Sequence, residues 1–177
     1  MKKNSKYLFY AMGMVLFVAL KLIYVSLSIK GLLFILGPTN YFVSLITNSD
    51  STFIEHLGYF HQDLNITIEK SCSGFNFLLL SFLITYCSSV SYLKSIKSMW
   101  IAMPISLVFC WILTLFVNTS RITSSILIGK WAVIPKQYHL IAHQAEGTFI
   151  YLSFLILSYK LINHLLKTYA CQHEKPA

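Results

Sequence analysis

A thiol, a guanidinium and an imidazole stand in this chain where apolar runs meet polar ones. They are Cys72 within Ser71-Cys72-Ser73-Gly74, Arg121 within Asn118-Thr119-Ser120-Arg121, and His143 within His143-Gln144-Ala145-Glu146-Gly147. Together these side-chain types suit acyl transfer. A thiolate is the attacking form of cysteine. An imidazole can take the thiol proton and hand it to a departing amine. A guanidinium, always charged and carrying five donors in a fixed fork, can meet an oxygen on which negative charge develops, or dock a carboxylate or phosphate. Cys72 opens an apolar run that reads as a helix, and the free N–H groups and partial positive charge of a helix start favour a thiolate over a thiol. Ser71 or Ser73 is placed to cap that helix, and Gly74 would let a substrate backbone come close. Asn118 lies one helical turn before Arg121 and could share its face.

Each motif taken singly has a plainer reading. Cys72 could be an inert cysteine at a helix start, Arg121 and His143 polar anchors at a water–lipid boundary, and Asn118 a polar helix end. His139 lies four residues before His143 on the same helical face, which opens a metal-dependent hydrolase as an alternative. A catalytic zinc calls for three protein ligands, however, and no HExxH is present. Glu146 could orient the imidazole or face solvent. Cys87 and Cys110 sit inside apolar runs as small hydrophobes, and Cys171 lies in a basic tail. With no CxxC, the cysteines form neither a disulfide framework nor a structural metal site. A thiol–quinone redox site would need a resolving cysteine beside Cys72. The polar stretch with Asp50, Glu55, His56, His61, Asp63 and Glu69 reads as a solvated surface, and the Glu69 carboxylate, three residues before Cys72, would oppose a thiolate.

The positioning elements follow from composition. Of 177 residues 56% are hydrophobic, and Lys and Arg total 14 against 6 Asp and Glu, a formal charge of +8. That is too apolar for an ordinary soluble domain. The basic residues lie scattered at the ends of apolar runs, which argues topology rather than nucleic-acid binding. A bilayer crossing takes about 20 residues. Residues 1–28 read as an uncleaved N-terminal anchor with Lys21 snorkelling or facing other helices. The segment 31–47, broken by Gly37-Pro38, reads as a helix lying in or dipping into the outer interface. Thr52-Phe53-Ile54 and Leu64–Ile68 read as a short extracytoplasmic β-hairpin. Spans follow over 75–92, over 98–117 with a kink at Pro104, and over 147–166. Between the last two, 118–138 is an amphipathic segment with Trp131 and Tyr138 at the interface. The expected fold is one all-α polytopic membrane domain of four transmembrane helices, with a core over 31–167 and a cytoplasmic tail over 168–177. Starting inside, this count leaves Lys94, Lys97, Lys167 and both termini cytoplasmic, and puts Cys72, Arg121 and His143 together on the outer side.

In their order and spacing, Ser71-Cys72-Ser73-Gly74, Asn118-x-x-Arg121 and His143-x-x-x-Gly147 resemble the motifs of the exosortase/archaeosortase family, and the compact exosortase K-like members above all. The resemblance covers roughly Gly31 to Leu166. It implies a cysteine transpeptidase of the cell (inner) membrane, without cofactor or metal. Its partners would be membrane lipid, an acceptor, and secreted proteins bearing a C-terminal sorting signal of recognition motif, hydrophobic helix and basic tail. By the same resemblance Cys72 is the nucleophile, Arg121 the oxyanion- or substrate-binding arginine and His143 the acid–base. Many members carry further N-terminal spans, and many have a basic residue soon after Cys-Ser-Gly, where this chain has Phe75-Asn76. The remaining alternative is a non-enzymatic membrane subunit, its Arg121 and His143 binding lipid headgroups or partner helices.

Overall fold

The computed structural model describes residues 3–131 and 138–173. It is mostly helical: α1 (Lys3–Ser26), α2 (Leu33–Thr47), α3 (Phe75–Tyr92), α4 (Ile96–Trp131) and α5 (His139–His173), with strands β1 (Thr52–Ile54), β2 (Gly58–His61) and β3 (Ile66–Ile68) between α2 and α3. Among the described residues four stretches are long and apolar enough to cross a bilayer: Ser5–Ser26, Lys70–Tyr92, Ile96–Gly129 and Ile141–Thr168. Leu8, Val15, Leu22, Ile105 and Leu157 on these helices are exposed, a surface that water penalises and hydrocarbon does not.

Helix α2 differs from expectation in its continuity. Its 15 residues run unbroken through Pro38. The proline ring removes one helical donor, while the face bearing Ile35, Leu36, Thr39, Asn40 and Val43 is buried. Burial of that face outweighs a single lost bond. At about 1.5 Å per residue the helix is too short to span, as the sequence indicates. The segment 118–138 is a clearer correction. Asn118 is no helix end, because α4 continues without interruption from Ile96 to Trp131. Polarity at Asn118 marked the site, and tertiary partners satisfy it within the helix.

The chain forms two compact units. The first comprises 1–25, 76–112 and 154–177. Its core gathers Phe9, Phe82, Tyr86, Val90, Met99 and Cys110, with the rings of Phe82 and Tyr86 stacked at 5.7 Å. Lys21 is paired within this unit. Its Nζ donates to Asn76 Oδ1 at 2.5 Å and lies 5.4 Å from the centroid of the Tyr24 ring.

The second unit comprises 26–75 and 113–153, and its sheet corrects the hairpin reading. The two expected strands exist as β1 and β3, but β2 lies between them in an antiparallel meander, Phe53 opposite Tyr59 and Phe60 opposite Thr67. Gly58 begins β2 at φ +108°. His61 at the end of β2 is fully buried rather than solvated. Its Nε2 lies 2.9 Å from Asn40 Oδ1 and its Nδ1 3.1 Å from Ser49 Oγ, while Asn40 Nδ2 donates to Ser51 Oγ at 2.9 Å. An amide oxygen only accepts, so Nε2 carries the proton and Nδ1 accepts from the serine.

Burial lowers the His61 pKa from its ordinary 6.5, against a smaller upward pull from Asp63. The folded sheet therefore prefers neutral imidazole, and the unfolded chain binds the proton first as pH falls. The resulting stability is complete above about pH 6.5 and declines as pH drops through the folded value. Hydrogen exchange of β2 and β3, corrected for intrinsic rates, is expected to reveal weaker protection at pH 5.5 than at pH 7.5 (on the order of a pH unit either side of the histidine value). In His61→Phe this pH dependence should vanish, with protection lower at both values by about 1–3 kcal/mol because Asn40 and Ser49 lose a buried partner. Equal pH dependence in the two proteins would remove His61 as its source.

Candidate active site

All the side chains of interest belong to the second unit. The chain leaves β3, makes a 3₁₀ turn over Lys70–Cys72 and enters α3 at Phe75. Cys72 is thus on the turn before the helix, half-buried. Of the two candidate caps, Ser73 acts: its Oγ accepts the Phe75 N–H at 3.3 Å. Ser71 donates instead to Glu69 Oε1 at 2.5 Å and lies 3.7 Å from Cys72 Sγ. Gly74 adopts φ +71°, and a Cβ there would stand 3.0 Å from Asn118 Cγ. The room at Gly74 is taken by Asn118, whose Nδ2 donates to the Cys72 carbonyl at 2.6 Å.

Helix α4 supplies Asn118, Arg121 and Ser125, spaced to lie on one face. Helix α5 supplies His143, Gly147 and Tyr151, each four residues from the last. Arg121 Nη1 donates to Tyr151 Oη at 3.2 Å, and the guanidinium carbon lies 5.2 Å from the centroid of that ring. Tyr151 in turn donates to Asn118 Oδ1 at 2.7 Å. Gly147 is where α5 makes way for the arginine, since a Cβ would come within 2.7 Å of Arg121 Nε. That Nε is buried with no hydrogen-bond partner among the described residues. His143 is exposed, its Nδ1 2.7 Å from Ser125 Oγ. With Nδ1 so engaged, Nε2 is the nitrogen left for proton transfer.

Cys72, Arg121, Ser125 and His143 line a single cavity of about 260 Å³. Ile66, Thr67 and Ile68 of β3 and Ile122 and Ile126 of α4 complete its wall. The three groups expected to act together therefore border one space, against a mainly aliphatic lining. Glu146, the candidate orienter of His143, has its Oε1 buried without a partner among the described residues; Ser125 makes the contact to the imidazole. The side chain of His139 lies outside the described residues, as do those of Trp131 and Cys171. Among the described residues no cluster of three His, Cys, Asp or Glu could hold a metal ion, and Cys72, Cys87 and Cys110 form no disulfide.

Sequence reasoning missed Ser125, Tyr151 and the β3 wall. Ser125 follows Arg121 by four residues and Tyr151 follows Gly147 by four, so helical periodicity carried a signal for both. For β3 the signal was nearness in the chain, since the strand ends four residues before Cys72. Neither family models, curated proteins nor solved structures match the chain.

Proposed function

We propose that this chain is a membrane-embedded cysteine peptidase or transpeptidase that cleaves the C-terminal sorting signal of secreted proteins. The observation that carries the reading is the common cavity of Cys72, Arg121 and His143. The ordered motifs and their resemblance to the exosortase/archaeosortase family support it, as do four helices of membrane-crossing length. Placing Lys94, Lys97 and Lys167 on the cytoplasmic side of the cell membrane puts the cavity on the opposite side, where secreted substrates arrive.

In this mechanism the substrate's apolar tail enters laterally from the bilayer and sets its scissile peptide in the cavity. His143 takes the Cys72 proton, and the thiolate Sγ bonds to the carbonyl carbon. Arg121 meets the oxyanion. The C–N bond then breaks, and His143 returns the proton to the departing nitrogen, leaving a thioester on Cys72. An acceptor amine, hydroxyl or water gives a proton to His143, attacks the thioester carbon and releases the thiolate. Isoleucines 66, 68, 122 and 126 favour an apolar residue beside the scissile bond.

The test uses the full chain in membranes with a secreted reporter ending in a hydrophobic helix and a basic tail. A reporter–enzyme adduct at Cys72, released by neutral hydroxylamine, is the expected product. An adduct that forms equally on Cys72→Ala would overturn the reading.

A further inference from the structure

We infer that Tyr151 is a positioning residue that couples the Arg121 guanidinium to the backbone of Cys72. The inference rests on the proposed function, in which Arg121 acts beside the thiol. The hydrogen bonds have only one consistent direction. A guanidinium only donates, so Tyr151 Oη accepts from Arg121 Nη1. The phenol proton then goes to Asn118 Oδ1. The Cys72 carbonyl only accepts, so the Asn118 amide must present Nδ2 to it, as it does at 2.6 Å. The chain of bonds runs from Arg121 through Tyr151 and Asn118 to Cys72 without a reversible link.

Each link is held sterically as well. Asn118 is fully buried and packs on Gly74, and Gly147 leaves the arginine its place. The Tyr151 ring lies close to the guanidinium while its hydroxyl holds one edge. A long, rotamer-rich arginine is thereby fixed before substrate arrives, which is what electrostatic preorganisation requires. A tyrosine that merely filled space would need the ring and not the hydroxyl.

The experiment reads the charge beside Cys72 without any substrate. Membranes containing the full chain are alkylated with iodoacetate, an anion, or iodoacetamide, its neutral counterpart. Rates are followed by mass spectrometry on the peptide bearing Cys72. A guanidinium held near Sγ speeds the anion selectively, so Arg121→Gln should lower the iodoacetate-to-iodoacetamide rate ratio about threefold or more. Tyr151→Phe keeps the ring and removes one oxygen, and it should lower the ratio most of the way to the Arg121→Gln value. Should Tyr151→Phe fail to accumulate, Tyr151→Trp serves, since an indole donates but cannot accept from arginine. A lowered ratio in Arg121→Gln with a wild-type ratio in the tyrosine variant overturns the inference and leaves the proposed function standing. An unchanged ratio in Arg121→Gln overturns both, because the guanidinium would then not face the thiol.

Discussion

Cys72→Ala is expected to stop processing of a tail-bearing substrate, lowering turnover by about 10⁴-fold or more, the scale seen when a covalent nucleophile is deleted. Cys72→Ser should be nearly as inactive, because a hydroxyl is a far weaker nucleophile than a thiol at neutral pH. The fold gives reason to expect both proteins to remain intact. What ties Cys72 into the structure is its backbone: its carbonyl accepts from Asn118, and its N–H donates to the Glu69 carbonyl at 2.9 Å. Cys72 is half-buried and lines an open cavity, so removal of its sulfur leaves no closed void of the kind that destabilises a core. Membrane abundance and the pattern of limited proteolysis should match wild type. Processing at the wild-type rate by either variant ends the assignment of Cys72, and an equal loss in Cys87→Ala would mean that the defect is not specific to Cys72.

The contrast between what the sequence disclosed and what it hid has a physical pattern. Arg121 and His143 were legible as candidates because charged and polar side chains are rare beside long apolar runs, and Cys72 because it stands where a polar stretch passes into such a run. The helices were legible because long apolar runs have few other solutions. Their ends were not. Polarity at Asn118 suggested that a helix stopped there, yet a buried amide can sit in mid-helix once Tyr151 and the Cys72 carbonyl satisfy it. His61 misled in the opposite direction. Its neighbours Asp63 and Gln62 are exposed, and only contact with Asn40 and Ser49, from 21 and 12 residues away, makes its burial affordable. Local composition reports the solvent a residue would prefer. It does not report a partner delivered by the rest of the fold.

Arg121 carries the second large expectation. Arg121→Gln keeps polar atoms at the site but loses the charge and the fork, and turnover should fall by about 10²–10³-fold, as when one oxyanion donor is deleted elsewhere. Gly147→Ala tests the same group from the opposite helix. Its added methyl would lie 2.7 Å from Arg121 Nε and 3.4 Å from Cζ, so the guanidinium must shift, and displacement of about 1 Å can cost on the order of 10²-fold. Alanine is otherwise favourable in a helix, so α5 should not be weakened by the change. The decisive measurement is the double variant. If Gly147 matters only by making room for Arg121, adding Gly147→Ala to Arg121→Gln should cost little more than Arg121→Gln alone, whereas independent roles would multiply the two losses. Multiplied losses would mean that Gly147 serves the substrate directly, and that the close approach of arginine to glycine is incidental to the chemistry.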